Sequence, residues 1–328
     1  MKPFQYYRTK EAKEAIQLKA QDNDSAFIAG GTNLLDLMKI QVLSPSSLVD
    51  ITRLDMHRIE ERADGGLRIG ALVTNADTAY HDEIEKGYPL LARAILSGAT
   101  PQLRNKATDG GNIMQRTRCY YFYDTSTACN KREPGSGCAA LTGYNRLHAI
   151  LGHSDHCIAT HPSDMAVALT ALEAKVNVTG PNGNRTIPIE DFHRLPGDTP
   201  HIDTNLQDDE MILSIDLPPE GYAQHYSYLK NRDRASYAFA LVSVAVGLKI
   251  ENGIIQEARI ALGGVAHKPW RDPMAEKLLQ GKKAELEGFR LVADAYLKDA
   301  KGFEHNHFKI ELARRSIIRA LMEAAKID

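Results

Sequence analysis

Apolar residues in the first part of the chain fall in short runs separated by polar turns, which predicts alternating strands and helices. Residues 3–7 and 27–29 have the pattern of short strands, whereas apolar positions in residues 10–20 have the spacing of an amphipathic helix. Strand-like runs follow at residues 47–51 and 67–73. This alternation predicts a mixed fold rather than a helical bundle or an all-β sandwich.

The second part of the chain has a different order of elements. A stretch rich in Pro, Gly, Asn and Asp covers residues 180–209, and we place a domain boundary at its start, giving domains of residues 1–180 and 181–328. Strand patterns follow it, and then two or three helices, the last over residues 308–325. Strands followed by helices predict an α+β domain in which a sheet carries helices on one face. The predicted strands are 211–217, 225–229, 238–250 and 254–262.

The overall composition excludes several classes of function. The chain has 328 residues, enough for two or three domains, and its 40 basic and 42 acidic groups give a formal charge of −2. A surface so close to neutral argues against binding to nucleic acid or anionic membranes. The first residues, MKPFQYYRTKEAKEAI, contain no apolar core and no cleavage site. We therefore expect a cytoplasmic chain, unless a partner that carries a signal exports it.

Two glycine-rich loops are candidates for binding a phosphate group. The first, residues 29–34, follows a predicted strand and precedes a helical turn, where free N–H groups attract anions. The second covers residues 104–113 and contains Gly110 and Gly111. Two such loops in one domain suit a dinucleotide, although the first loop by itself could also be a tight turn with an Asn cap. Neither has the Gly-x-Gly-x-x-Gly or P-loop pattern, which disfavours a classical NAD site and a nucleotide triphosphatase.

All four cysteines fall within residues 115–160, a loop-rich segment that we predict to be an irregular insertion. They are Cys119, Cys129, Cys138 and Cys157. An iron–sulfur cluster needs four thiolates and tolerates varied spacing. Zinc would more usually come with a Cys-x₂-Cys pair, which is absent, and disulfides would need an oxidising compartment. The residues alone leave three alternatives open: an iron–sulfur cluster, a zinc site, and disulfides or free thiols.

Five segments in the same order resemble the flavin subunits of xanthine dehydrogenases, aldehyde oxidoreductases and carbon monoxide dehydrogenases. The resemblance covers nearly the whole chain and implies an α+β fold in two parts. The first part would be an FAD-binding domain of the PCMH/vanillyl-alcohol-oxidase-like type, and the second an α+β C-terminal domain like that of carbon monoxide dehydrogenase flavoproteins. The matching segments are residues 28–34, 104–112, 161–164, 236–243 and 261–266.

The resemblance also implies a set of cofactor-binding residues, with no catalytic residue among them. The first loop would bind the FAD pyrophosphate through backbone N–H groups, and the second would contact a phosphate and a ribose. Asp164 would accept a hydrogen bond from a ribose or ribityl hydroxyl, although it could instead be a carboxylate favoured by a helix N-terminus. Lys230 would lie near the flavin ring. The implied loop residues are Ile28, Ala29, Gly30, Gly31, Thr32, Asn33, Leu34, Thr108, Gly111 and Asn112.

The cysteine segment most resembles that of the periplasmic heterotrimeric aldehyde oxidoreductases, which implies a 4Fe–4S cluster on Cys119, Cys129, Cys138 and Cys157. The implied partners are a large molybdopterin subunit and a small 2Fe–2S subunit, with no nucleic acid or membrane. Electrons would pass from the 2Fe–2S clusters through FAD to an external acceptor, because the cofactor supplies the chemistry. Co-export with a signal-bearing partner would place the complex in the periplasm.

Three other interpretations remain open. The chain could be the FAD and 4Fe–4S subunit of a related hydroxylase or reductase of the xanthine dehydrogenase or 4-hydroxybenzoyl-CoA reductase type. It could be a self-sufficient flavin reductase that resembles the enolpyruvyl-UDP-sugar reductases, although no proton donor stands out. It could also be a non-catalytic scaffold whose loop is stapled by zinc or disulfides. In the favoured interpretation it is an oxidoreductase subunit that is inactive by itself.

Overall fold

A computed structural model describes residues 1–327. The first 173 residues form five short strands and nine helices, several of them single turns. The strands are β1 Gln5–Arg8, β2 Ala26–Ile28, β3 Ser47–Asp50, β4 Ile59–Glu61 and β5 Leu67–Gly70. The helices are α1 Ala12–Gln21, α2 Leu34–Lys39, α3 Asn75–Ala79, α4 Asp82–Gly87, α5 Pro89–Ser97, α6 Pro101–Arg104, α7 Asp109–Ile113, α8 Tyr120–Tyr123 and α9 Asp164–Ala171.

The remaining residues form six longer strands and four helices, with one 3₁₀ turn. The strands are β6 Lys175–Gly180, β7 Gly183–Pro188, β8 Met211–Leu217, β9 Tyr226–Asn231, β10 Val242–Glu251 and β11 Ile254–Gly263. The helices are α10 Ile189–Phe192, α11 Pro273–Glu276, α12 Leu286–Tyr296 and α13 Phe308–Ala325, with the 3₁₀ turn at Lys277–Leu279. None of the helices among the described residues is both long and apolar enough to cross a membrane.

A small parallel sheet with the order β1-β3-β2 presents the first glycine loop. Strand β3 is buried along its whole length, and α1 packs against it through buried Ala15. Because β2 pairs in parallel with β3 up to Ile28, the chain leaves the sheet directly into residues 29–33 and then enters α2. The carboxyl end of a parallel strand is a common place for a ligand loop in such sheets.

A five-stranded antiparallel sheet with the order β4-β5-β8-β6-β7 completes the first part. Its central strand β8 pairs with β5 and with β6, and Ile69 opposes Ile215 in the buried core. The boundary predicted at residue 180 therefore falls inside this sheet, and the first part extends to about residue 220. The Pro- and Gly-rich stretch is a connection that contains β7 and α10 and returns to the same sheet, so its composition does not mark a domain boundary.

The second part is the predicted α+β unit, and the predicted fold class is confirmed. Strands β9, β10 and β11 form an antiparallel sheet, and α12 and α13 cover one face of it. The core between them is mostly apolar, and burial of this apolar surface is the main stabilising contribution to the unit. Its largest members include Phe289, Tyr296 and Ile317.

The cysteine-bearing segment is irregular, as predicted, and it packs between the two parts. Its one helical turn in the described residues is α8. The segment joins the second part through backbone hydrogen bonds, because the N–H groups of Ile150 and Leu151 both donate to the carbonyl of Val265, at 2.9 and 3.0 Å. These bonds hold residues 150 and 151 beside the turn that follows β11.

Candidate functional site

A cleft of about 890 Å³ lies between the two glycine loops, the start of α9 and strand β9. All twelve residues predicted to bind the cofactor line this cleft, although they are spread over more than 200 positions of the sequence. The volume falls within the range of roughly 300–1,000 Å³ that is common for small-molecule and cofactor sites. The structure therefore brings the predicted residues together in one concave site.

The first glycine loop presents unused N–H groups to the cleft. Gly31 has a φ of +73°, a conformation that side chains other than glycine rarely adopt. A Cβ atom on Gly30 would lie 2.1 Å from the carbonyl oxygen of Lys106, so the absence of a side chain allows the two loops to touch. Within residues 1–327, the backbone N–H groups of Gly30 to Leu34 donate to no other protein group. Such a set of donors suits an anion.

Asn33 adds an unpartnered side-chain donor to the same loop. Its Oδ1 accepts a hydrogen bond from the N–H of Arg116 at 2.8 Å, which fixes the direction of the amide. Its Nδ2 is buried and has no partner among the described residues. A buried donor without a partner costs roughly 1–3 kcal/mol. An oxygen-rich ligand in the cleft would remove this cost, so the site fits a phosphorylated cofactor.

Hydrogen bonds from side chains fix the conformation of the second loop. Thr108 accepts from the N–H of Gly111 at 3.2 Å and caps α7. The Asn112 side chain donates to Asn75 at 2.7 Å and accepts from Ser163 at 2.5 Å. The Asn112 side chain therefore joins α7 to the start of α9, a structural role that the sequence did not indicate.

Asp109 lies beneath the second loop and is completely buried. Its carboxyl group accepts hydrogen bonds from Asn75 at 2.6 Å and from Thr78. Burial raises the pKa of Asp109 to about 7. Sequence reasoning missed this residue, because an Asp at the start of a helix normally indicates an exposed, dipole-favoured carboxylate.

Asp164 and Lys230 form a buried ion pair that links the two parts of the chain. The Lys230 ammonium lies 2.7 Å from the Asp164 carboxylate and also donates to the carbonyl of Ser97 at 3.0 Å. Tyr228 donates to the other Asp164 oxygen at 2.6 Å. Burial raises the pKa of Tyr228 well above its ordinary value, so the phenol stays protonated. The sequence did not predict the pairing, because Asp164 and Lys230 are 66 residues apart.

A second cavity of about 810 Å³ adjoins the first and shares Ser163 and Asp164 with it. Its other walls come from the cysteine-bearing segment and from the second part, including Gly264 in the turn after β11. Exposed Phe239 lines both cavities, with the Arg118 guanidinium 5.1 Å from the ring centroid. The cleft therefore continues from the glycine loops toward the cysteines.

The four cysteines line one small cavity, which we call the cysteine centre: Cys119, Cys129, Cys138 and Cys157. None of them is in a disulfide bond. Burial raises the pKa of Cys119 to about 12 and that of Cys157 to about 11. Buried thiolates at this site would therefore need a cation to stabilise them.

The donor set of the cysteine centre is of a kind that proteins use for thiolate-bound metal centres, because four thiols line one cavity. Among residues 1–327, no group of three His, Cys, Asp or Glu side chains is arranged so that it could hold a metal ion. The donor types therefore fit an iron–sulfur cluster and also zinc, and they do not distinguish the two.

His148 is a neighbour of the cysteine centre that the sequence interpretation had left out. Its Nε2 lies 3.1 Å from Cys119 Sγ, and its Nδ1 is buried without a partner in the described residues. A histidine in a loop is more often polar surface, and no spacing rule links residues 29 positions apart. Only the folded structure reveals this contact.

Comparison with known proteins identifies the class. Residues 2–220 match the family described as the FAD binding domain in molybdopterin dehydrogenase. Residues 225–324 match the CO dehydrogenase flavoprotein C-terminal domain. The two matches meet in the connection between β8 and β9, at the boundary that the sheets define. The chain belongs to the family of FAD-binding subunits of molybdenum hydroxylases, a class of oxidoreductase subunits.

Individual relatives extend this likeness over the whole chain. The chain is 49% identical over 325 residues to the aldehyde oxidoreductase FAD-binding subunit PaoB of Escherichia coli (strain K12), covering 99% of each chain. It is 29% identical to the glyceraldehyde dehydrogenase medium chain of Sulfolobus acidocaldarius, covering 85% of this chain and 82% of the relative. Among solved structures, a chain of the carbon monoxide dehydrogenase of Hydrogenophaga pseudoflava matches with a TM-score of 0.77 at 28% identity, covering 99% of this chain and 98% of that one.

Proposed function

We propose that the main cleft holds one FAD, bound without a covalent bond. The residues that would hold it are the twelve predicted ones, with the pyrophosphate on the free N–H groups of residues 30–34. The observation that carries this proposal is the buried, unpartnered Nδ2 of Asn33 beside those groups. Thr108 and Gly111 belong to the second loop, and Asp164 would accept a ribose or ribityl hydroxyl while Lys230 and Tyr228 hold it in place.

We further propose that the chain is the electron-transfer subunit of a heterotrimeric, molybdenum-dependent aldehyde oxidoreductase. FAD supplies one- and two-electron chemistry when bound, which suits transfer from single-electron 2Fe–2S clusters to an external acceptor. The identity of 49% to an aldehyde oxidoreductase subunit, over 99% of both chains, supports the aldehyde substrate class. The partners would be a large molybdopterin subunit and a small 2Fe–2S subunit.

The experiment is co-expression of the chain with the two proposed partner subunits. The complex is then purified and assayed with a panel of aldehydes, xanthine and acyl-CoA substrates. We expect molybdenum and FAD in one complex, with activity restricted to aldehydes. Activity with xanthine or with 4-hydroxybenzoyl-CoA would instead assign the complex to the related hydroxylase or reductase type. Purification of the chain as a stable monomer that binds neither co-expressed subunit would contradict the proposed heterotrimer.

We propose that the cysteine centre holds a 4Fe–4S cluster. Two observations support this: the four cysteines share one cavity, and none is disulfide-bonded. The likeness of the cysteine segment to that of the heterotrimeric aldehyde oxidoreductases favours a cluster over zinc. Iron and zinc analysis of protein purified without air is the test. About four iron atoms per chain would support the cluster. Zinc in place of iron would support the alternative of a non-catalytic scaffold whose cysteine-bearing loop is held by a structural zinc ion.

The proposed location is the periplasm, reached by export of the folded complex with a signal-bearing partner. The likeness of the cysteine segment to that of periplasmic heterotrimers supports this. Fractionation of cells that express all three subunits is the measurement. A complex that is found only in the cytoplasmic fraction would contradict export.

A further inference from the structure

The part of the insertion that carries His148 is fixed by the chain around the start of α13. Asn306 is completely buried and donates to the carbonyls of His148 and Ala149, at 3.1 and 3.2 Å. The N–H of His305 donates to Asn145 Oδ1 at 3.0 Å. These bonds span about 160 positions of sequence and hold a loop that has no regular secondary structure of its own.

Lys309 is the central residue of this arrangement. Its side chain is completely buried, and its ammonium donates to the carbonyls of His148 at 2.8 Å and Gly264 at 2.6 Å, with Leu147 at 3.5 Å. No carboxylate within residues 1–327 forms an ion pair with it. A buried charge without a counter-charge is costly, and lysine is rarely found in this state. A lysine retained here therefore calls for a functional explanation.

The two main acceptors of Lys309 belong to two different sites. The His148 backbone carries the imidazole that contacts Cys119 in the cysteine centre. Gly264 lines the cavity that adjoins the proposed FAD cleft. In a cluster the Cys119 sulfur is a thiolate that can only accept, so the contact requires a hydrogen on His148 Nε2. Through these two hydrogen bonds, Lys309 links the backbone of His148, whose imidazole makes the N–H···S contact, to Gly264 in the cavity lining.

We propose that Lys309 is a positioning residue for the cysteine centre: its buried ammonium fixes His148 against Cys119, ties both to Gly264, and raises the reduction potential of the centre. The proposal rests on the cluster proposed above. A positive charge in a low-dielectric interior stabilises the electron that a cluster gains, because charges there are weakly screened. The N–H···S contact acts in the same direction, since hydrogen bonds to cluster sulfurs contribute to setting the potential.

The charge on Lys309 should depend on pH near neutrality. Burial, with a smaller contribution from the positive charge of Arg146, lowers the pKa of Lys309 to about 7. Arg146 and His148 are the charged and titratable groups that face it. As pH rises through about 7, the amine loses its proton and the centre loses a stabilising positive charge. The reduction potential of the centre should then fall with rising pH.

The test is an anaerobic redox titration of the purified complex, with the cluster followed by low-temperature electron paramagnetic resonance at several pH values. Lys309→Arg keeps a permanent charge, whereas Lys309→Gln keeps an N–H donor without a charge. Lys298→Met, at an exposed lysine after α12, is the matched control. Iron and FAD contents are measured on every variant.

We expect the wild-type potential to fall between about pH 6 and pH 8. It should be low and independent of pH in Lys309→Gln, and high and independent of pH in Lys309→Arg. The control should match the wild type. A fully loaded Lys309→Gln variant with the wild-type potential and pH profile would overturn the inference and leave the cluster proposal intact. If Lys309→Gln does not fold, a Lys309→Arg variant that keeps the wild-type pH dependence would overturn it equally. Wild-type protein without iron would overturn the cluster proposal itself, and this inference with it.

Discussion

Gly31 illustrates how a single residue position shapes the cleft. Its φ of +73° turns the chain so that the N–H groups of the following residues face the cleft. An L-amino acid in this conformation costs roughly 1–2 kcal/mol. A side chain there would also meet Leu35, whose Cδ1 would lie 3.0 Å from the new Cβ. The loop therefore depends on glycine both for its backbone conformation and for space.

We predict that Gly31→Ala lowers FAD affinity about tenfold, which corresponds to about 1.4 kcal/mol. The matched control is Gly65→Ala in the turn between β4 and β5, where φ is +81° and a Cβ would meet nothing within 4 Å. Both variants should lose some thermal stability, because both need a positive φ. Only Gly31→Ala should lose flavin on gel filtration. Equal FAD retention by the two variants would contradict the proposed phosphate loop.

Asp109 gives a pH-dependent prediction. Its pKa is about 7 in the folded chain and 3.8 as a free side chain. From about pH 4 to pH 7 the folded state therefore retains a proton that the unfolded state has lost, so the free energy of unfolding decreases as pH rises. Asp109→Asn mimics the protonated form, because its amide can still pair with Asn75 and Thr78. The variant should be more stable than the wild type at pH 8, by a few kcal/mol.

Urea unfolding at pH 5 and pH 8 is the measurement for Asp109. The stability difference between the two proteins should be smaller at pH 5 than at pH 8, because only part of the pH-dependent loss of wild-type stability has occurred at pH 5. A variant that is less stable than the wild type at both pH values would show that the buried carboxylate is favourable.

Residue roles could be predicted from the sequence where the signal is local. The glycine pair at Gly30 and Gly31 follows a strand directly, so its turn is visible in a few residues. The partners of Asp164 could not be predicted, because Asp164 begins α9 whereas Tyr228 lies 64 positions away on β9. The same holds for the contact between His148 and Cys119.

At the scale of elements, sequence patterns predicted best where an element buries one face. The last helix occupies Phe308–Ala325, the same bounds that its apolar spacing predicted, and its buried positions lie on one side. Strand β7 was missed because it is an edge strand in which only Ile187 is buried. Without alternating apolar residues, such a strand looks like a loop. The predicted boundary at residue 180 came from the Pro- and Gly-rich composition of residues 180–209, which does not show that β8 returns to the sheet of the first part.

The insertion is an element that has few apolar residues to fold it, so metal binding would contribute part of its folding free energy. We predict that Cys138→Ser loses about four iron atoms per chain and makes residues 115–160 sensitive to protease. Flavin retention should also fall, because this segment lies between the second loop and Asp164. Glu133→Gln, at an exposed position between Cys129 and Cys138, is the control.

Metal analysis, flavin content and limited proteolysis on the same preparations check this prediction. The control should resemble the wild type in all three. Unchanged iron in Cys138→Ser would show that this cysteine is not a ligand. Loss of iron with full flavin retention would show that the insertion and the FAD cleft fold independently.

At the scale of the whole molecule, the two parts meet at the proposed FAD cleft, and one buried ion pair, between Lys230 and Asp164, joins them there. The order of sequence motifs was enough to predict the family and the fold. It could not predict the geometry between the cysteine centre and the cleft, which depends on long-range contacts such as that of Lys309 with Gly264. Substrate oxidation, in the proposed complex, takes place on a partner chain.

Anaerobic spectroscopy of the purified complex tests the central claim most directly. On addition of an aldehyde, the flavin absorbance at about 450 nm should bleach in the complex, because electrons from the partner reach the FAD of this chain. The isolated chain should also carry FAD, and denaturation should release it. Addition of an aldehyde should not bleach the flavin of the isolated chain. A complex without flavin, or bleaching by aldehyde in the isolated chain, would contradict the account.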